Sequence, residues 1–160
     1  MIHILGSCAI LLSAAFYLWE ERKQYRMEAQ TLQDLIEAME NMETSIRWEK
    51  RTLPDTISAQ ERRRYAGNYF REIRENVTGD STLQTAWNRV FSRIKPKELS
   101  SILCAVSLSG DSTFLMGRFA YAAAQIRELQ AKKESARAQK QKLKLTAALS
   151  GAGVVIILLI

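Results

Sequence analysis

The sequence predicts an all-α protein: a cytoplasmic helical bundle of about six helices whose first and last helices continue into terminal transmembrane spans. Apolar residues in the middle of the chain recur at spacings of three and four, and no segment alternates with the period of two that marks a strand. Both ends of the chain are apolar and carry no charged residue. The residues between these two ends, 20–144, are enough for one modest helical core.

The first predicted element is a transmembrane span at residues 1–19. As a helix, Ile2–Trp19 measures about 27 Å, close to the ~30 Å apolar core of a bilayer. Aromatic residues typical of the membrane–water boundary stand at its charged end: Phe16, Tyr17 and Trp19. The competing interpretation is a cleaved signal peptide, which requires basic residues ahead of the apolar stretch, whereas the first basic residue here is Arg22.

The last predicted element is a second span at residues 145–160, which is about 24 Å long as a helix and therefore short. Lys142 and Lys144 precede it and can extend toward the polar interface. The alternative is an apolar tail buried in the bundle. The adjacent basic run makes that the weaker interpretation.

The distribution of charge sets the predicted orientation. All 23 basic and 17 acidic residues lie between Glu20 and Lys144, and the net charge of +6 comes from two flanks beside the apolar ends, residues 20–26 and 132–144. Basic flanks next to spans mark the cytoplasmic side, so residues 20–144 form the predicted cytoplasmic domain. A nucleic-acid-binding protein would instead carry its excess charge on a folded face, so no nucleic acid partner is expected.

Helical periodicity divides residues 20–144 into six helices. The first continues unbroken from the N-terminal span to Arg51, and the second occupies about 54–62, with Pro54 in its first turn. Breaks at 78–81, 95–97 and 108–112 separate the others. The predicted inward residues, helix by helix, are Leu32, Leu35, Ile36, Met39, Met42 and Ile46; Tyr65, Tyr69, Phe70, Ile73 and Val77; Leu83, Ala86, Trp87, Val90, Phe91 and Ile94; Leu99, Ile102, Leu103 and Val106; and Leu115, Phe119, Ala122, Ala123, Ile126 and Leu129.

The residue inventory argues against the commonest catalytic and metal sites. One His, at position 3, and two Cys cannot supply a zinc site of ordinary composition or a His-based catalytic pair. The sequence has no glycine-rich phosphate loop and no nucleophile elbow. We therefore expect no catalytic residue, no metal and no cofactor. Asp111, and Asp80 or Ser81, are interpreted as helix N-caps.

A basic cluster is the most distinctive polar feature of the middle: Arg62, Arg63, Arg64, Arg71 and Arg74. The plain interpretation is a solvated face, balanced by the acidic residues of the first helix, which are Glu28, Asp34, Glu37, Glu40 and Glu43. The functional hypothesis is a docking surface for an acidic partner. The acidic stretch is the next candidate for docking if the basic cluster is not used.

Two stretches resemble the signature of a known family. Residues 42–48 read Met-Glu-Thr-Ser-Ile-Arg-Trp and residues 52–57 read Thr-Leu-Pro-Asp-Thr-Ile. They are similar to the Leu-Glu-Thr-Glu-Ile-x-Tyr and Pro-Leu-Pro-Glu-Ala-Leu segments of stage III sporulation protein AB of endospore-forming bacteria. The chain departs from that pattern at Ser45 and Thr52. Later features follow in the same order: the Gly79 break, Ala86 with Trp87, and a turn at 108–112 that is like the family's Leu-Gly-x-Ser-Asp with its order altered.

The resemblance implies an all-α fold like the cytoplasmic domain of type II secretion inner-membrane platform proteins. It also implies a subunit of a transport apparatus linking mother cell and forespore, located in the mother-cell membrane around the forespore. The implied partners are a secretion-type cytoplasmic ATPase and further membrane subunits. The resemblance brings no catalytic residues.

The leading hypothesis is therefore a non-enzymatic membrane platform that docks an ATPase. The alternative is a membrane-attached helical signalling or sensor module, which would need a substantial extracytoplasmic domain, whereas the predicted topology leaves almost no residues outside. An enzyme comes third, because the catalytic motifs are missing. The sequence leaves open whether the chain forms a homo-oligomer.

Overall fold

A computed structural model describes the backbone of residues 2–77 and 81–159, and the side chains of residues 19–20, 23–77 and 81–142. Within these residues the chain forms six α-helices and no strand, as predicted. The helices are α1 Ile2–Thr44, α2 Leu53–Ser58, α3 Gly67–Asn76, α4 Leu83–Phe91, α5 Lys97–Cys104 and α6 Ser112–Leu159. A π-helical turn, Ser45–Glu49, follows α1, and a 3₁₀ turn, Ala59–Arg62, follows α2.

The two long helices, α1 and α6, form an antiparallel pair that frames the bundle. Glu28 pairs with Lys133 and Glu40 with Arg127, so the two helices run in opposite directions. The apolar stripes predicted for both helices are buried throughout. This pairing confirms the inward faces that helical spacing predicted.

Aromatic side chains from three helices, α3, α4 and α6, fill the centre of the bundle. Trp87 is fully buried, and its ring centroid lies 4.6 Å from that of Phe91 and 6.4 Å from that of Phe119. Its indole Nε1 donates a hydrogen bond of 2.8 Å to the carbonyl of Leu103. The only polar atom of this side chain is therefore satisfied inside the core, as a buried indole requires.

The junction after α1 is built by a change of helix type. The π-helical turn keeps Ile46 buried but leaves 76% of Trp48 exposed. Lys50 then adopts a left-handed conformation with φ 50°, which ends the helix. Thr52 caps α2 by accepting from the backbone N–H of Asp55, and Pro54 stands in the first turn, as predicted.

Several predicted boundaries are wrong. Val77 is 41% exposed because α3 ends at Asn76, and Tyr65 lies before α3 begins. Thr82, rather than Asp80 or Ser81, caps α4 by accepting from the N–H of Thr85. The cap predicted for the last helix is confirmed, since Asp111 accepts from the N–H of Phe114 at 2.8 Å. Gly79 and Asp80 lie outside the described residues.

Among the residues that the structure describes, no helix has both the length and the apolar character needed to cross a bilayer. Apart from Trp19, the spans predicted at 1–19 and 145–160 lie outside the residues whose side chains are described. Both spans therefore remain predictions.

Candidate partner-binding surface

The basic cluster is carried by the connection between α2 and α3 and by α3 itself. Asp34 of α1 fixes this connection, because its Oδ2 accepts from the backbone N–H of Tyr65 at 2.7 Å and of Ala66 at 3.2 Å. A carboxylate that accepts two adjacent backbone donors leaves the turn little freedom. The arginines that precede Tyr65 are thus carried by a turn that is bonded to α1.

Gly67, the first residue of α3, allows the start of this helix to lie close to the 3₁₀ turn. A Cβ at this position would lie 2.4 Å from the carbonyl oxygen of Glu61. Backbone atoms cannot move aside as a flexible side chain can. The position therefore requires glycine, and α3 begins directly against the 3₁₀ turn.

Arg63 points into the bundle rather than toward a partner. Its Nε donates to Gln60 Oε1 at 2.8 Å and its guanidinium donates to Glu37 Oε2 at 3.0 Å. Only 13% of its side chain is exposed. Arg63 therefore ties the turn to α1 and offers little surface to a partner, while the docking role of the cluster stays a prediction.

The two hydrogen-bond acceptors of Arg63, on Gln60 and Glu37, are held in position by other contacts. Gln60 is buried and its Nε2 donates to the carbonyl of Thr56 at 3.2 Å, which orients Oε1 toward Arg63. A hydrogen bond from Gln33, and next the contact with Arg63, hold the pKa of Glu37 below its usual value. The carboxylate thus stays ionised opposite the guanidinium.

Arg74 is partly occupied. Its Nε lies 2.6 Å from Oε1 of Glu61, whose side chain is 16% exposed. The oxygen has no aligned hydrogen-bond donor, so the contact is an ion pair rather than a directed hydrogen bond. The Arg74 charge is balanced within the chain, although its side chain is still 57% exposed.

Three arginines of the cluster have no carboxylate partner among the described residues, and we refer to them as the open arginines: Arg62, Arg64 and Arg71. All three are exposed. Arg64 stacks over the ring of Tyr65 at 5.5 Å, which leaves its N–H edges free. Arg71 is four residues after Gly67 and three before Arg74, so it shares the α3 face that meets the 3₁₀ turn.

The acidic face of α1 is not simply a solvated surface. Glu28 pairs with Lys133, Glu37 with Arg63, Glu40 with Arg127 and Glu43 with Arg47. The fifth acid, Asp34, holds the turn described above. Because every one of these acids has a partner within the chain, the acidic stretch is the weaker of the two candidate docking surfaces.

An exposed aromatic surface on α6 was not predicted from the sequence. Phe114 is 42% and Tyr121 62% exposed, and Arg118 stacks 4.7 Å over the Phe114 ring. The signal was present, because residues seven apart share a helix face. That face lies away from the buried stripe that begins at Leu115.

Comparison with known proteins gives one family. A family profile described as stage III sporulation protein AB matches residues 3–160. No curated protein and no solved structure matches the chain. The matched range includes the bundle and the open arginines.

Proposed function

Because the chain belongs to the stage III sporulation protein AB family, we propose that it acts in stage III of sporulation as a non-enzymatic membrane platform subunit. Family membership implies the stage III role. The finer proposal is that the bundle docks a secretion-type ATPase on the cytoplasmic side of the mother-cell membrane around the forespore, as part of a transport apparatus with other membrane subunits.

The observation that carries the docking proposal is the contrast between the open arginines and the charges around them. Arg63 and Arg74 have carboxylate partners, whereas Arg62 and Arg71 have none among the described residues. Arginine is enriched at protein interfaces because its planar group can bind carboxylates in a bidentate manner. An acidic surface on the ATPase is therefore the expected complement.

The fold supports this proposal by presenting the arginines from a rigid base. The turn is bonded to α1 through Asp34 and Arg63. Preorganisation of this kind lowers the conformational entropy that is lost on binding. Attachment of both long helices to the membrane would also confine the surface near its membrane partners and raise their effective concentration.

The test is binding of the full chain, purified in a neutral detergent, to the secretion-type ATPase of the same apparatus. Arg62→Glu/Arg71→Glu reverses two charges that form no ion pair or hydrogen bond among the described residues. We expect the variant to bind the ATPase at least about tenfold more weakly than the parent at low salt. The difference between variant and parent should be smaller at high salt, because salt screens the attraction between the two proteins. The same variant should block sporulation.

Lys95→Glu/Lys97→Glu is the matched control, since it reverses two exposed charges at the junction of α4 and α5. It should bind the ATPase as the parent does. If the arginine variant folds, binds like the control and supports sporulation, the open arginines are a solvated face and docking occurs elsewhere.

A further inference from the structure

A cleft opens between α1 and α6 on the side of the bundle nearest the predicted spans. Its volume is about 220 Å³. Its apolar wall is formed by Tyr25, Ala29 and Leu32 of α1, and α6 contributes Ala136, Arg137 and Lys140. Sites for drug-sized ligands measure about 300–1,000 Å³, so this cleft suits a smaller group with an apolar stem.

Two of the cations at the cleft are available to a ligand. Lys133 is already paired with Glu28, and Glu134 accepts from Gln130 at 3.4 Å. Arg137 lies 4.9 Å from the centroid of the Tyr25 ring, a stack that holds its guanidinium in place without using its N–H groups. Lys140 has no partner among the described residues.

The position along α6 indicates where the ligand comes from. Lys140 precedes the predicted span at residue 145 by five residues, which is about 7–8 Å of helix. The polar layer of one bilayer leaflet is about 5–8 Å thick. Lys140 thus stands at the level of lipid headgroups in the predicted topology, and Arg137 lies one turn further from the membrane.

We propose that this cleft binds the headgroup of an anionic phospholipid. Arg137 and Lys140 hold the phosphate through charge-assisted hydrogen bonds, and the ring of Tyr25, at the end of the apolar wall nearest the predicted spans, packs against the glycerol. This inference rests on the membrane attachment in the proposed function. It adds a specific lipid site that ATPase docking does not require.

The experiment is native mass spectrometry of the full chain released from a neutral detergent, with phosphatidylglycerol added at increasing concentration. We expect one tightly held phosphatidylglycerol per chain. Phosphatidylcholine, which has no net charge, should not occupy the site at the same concentration. Inorganic phosphate should not displace the lipid, because it lacks the apolar stem. Displacement at equal concentration would identify a free-anion site and overturn the lipid assignment.

Two variants test the cleft by different routes. Arg137→Gln/Lys140→Gln removes both cations and should weaken lipid binding roughly 25-fold, about fivefold for each cation. Ala136→Phe keeps every charge but fills the cleft from an exposed position, so it should also remove the bound lipid while leaving the fold intact. Circular dichroism of each variant checks that the bundle is folded.

Lys132→Gln is the matched control, because Lys132 is an exposed cation on the same stretch of α6 that does not line the cleft. It should keep the bound lipid. If it loses the lipid as readily as Arg137→Gln/Lys140→Gln does, the attraction is a diffuse surface charge and the cleft proposal is wrong.

Failure of this inference is separable from failure of the proposed function. Flotation of the full chain with neutral and anionic vesicles reports membrane attachment alone. A chain that floats with both kinds of vesicle but binds no discrete phosphatidylglycerol would contradict only the cleft. A chain that floats with neither would contradict the membrane platform itself.

Discussion

The indole of Trp87 joins α4 to the end of α5 by one hydrogen bond inside an aromatic cluster. Trp87→Phe keeps most of the apolar volume but leaves the carbonyl of Leu103 without its partner, which should cost about 1–3 kcal/mol. Trp87→Ala also opens a cavity and should cost about 3–5 kcal/mol. Thermal unfolding of the full chain in neutral detergent should rank the parent above Trp87→Phe and Trp87→Ala last. Equal midpoints would contradict the buried position.

Glu37 should make the stability of the folded chain depend on pH, because its carboxylate holds Arg63 and the turn beside the open arginines. Because its pKa is lowered in the folded chain from the ordinary 4.5, its stabilisation is complete above that value and is lost as pH falls through the folded pKa. Glu37→Gln should therefore destabilise the chain at neutral pH, by less than about 1 kcal/mol since the carboxylate is half exposed. Unfolding midpoints measured from about pH 7 to pH 3 should converge for parent and variant. A gap that stays constant over this range would contradict the role of the ionised carboxylate.

At the scale of elements, replacing glycine by alanine should have opposite effects on stability at two positions, Gly67 and Gly117. Gly67→Ala places a Cβ against the backbone of Glu61 and should destabilise the junction of the 3₁₀ turn with α3, by about 1–3 kcal/mol. Gly117 lies on α6 and a Cβ there would meet nothing within 4 Å. Gly117→Ala should therefore stabilise α6 by about 0.5–1 kcal/mol through helix propensity. Denaturant midpoints of the two variants should move in opposite directions, and a shared direction would contradict the tight junction.

Helical periodicity predicted the buried faces well, because apolar spacing directly reflects which side of a helix is covered. It failed at helix ends. The spacing of Val77 continues the stripe of α3, but the helix ends one residue earlier and the side chain is left exposed. The change to a π-helical turn at Ser45 has no apolar signature either, since Ile46 stays on the buried face through it.

The candidate surface was predictable only in part. A run of arginines can be recognised in the sequence, and Arg62, Arg64 and Arg71 are exposed as a docking surface requires. The inward turn of Arg63 depends on Glu37, which lies 26 residues away, and no local pattern contains that contact. Lys133 and Arg127, the partners of Glu28 and Glu40, were missed for the same physical reason, whereas Glu43 and Arg47 are four residues apart and form a local helical pair.

At the scale of the whole molecule, the predicted topology can be tested by the accessibility of one thiol. The sequence has two cysteines, Cys8 and Cys104. In a Cys8→Ser/Cys104→Ala background, Ser109→Cys places a thiol in the exposed turn before α6. A membrane-impermeant maleimide should leave intact cells unlabelled and should label the chain after permeabilisation, because the predicted topology places the bundle in the cytoplasm. Labelling of intact cells would place the bundle on the other side.

The pairing of the first helix with the last has a consequence for the timing of synthesis. Lys133 is made 105 residues after its partner Glu28. At about 5–20 residues per second, a nascent chain waits about 5–20 s before α6 can cover α1. A finished helical bundle folds in microseconds to milliseconds, so folding itself is far faster than this wait. Translation rate therefore sets how long the apolar stripe of α1 stands open to chaperones, to aggregation or to the membrane.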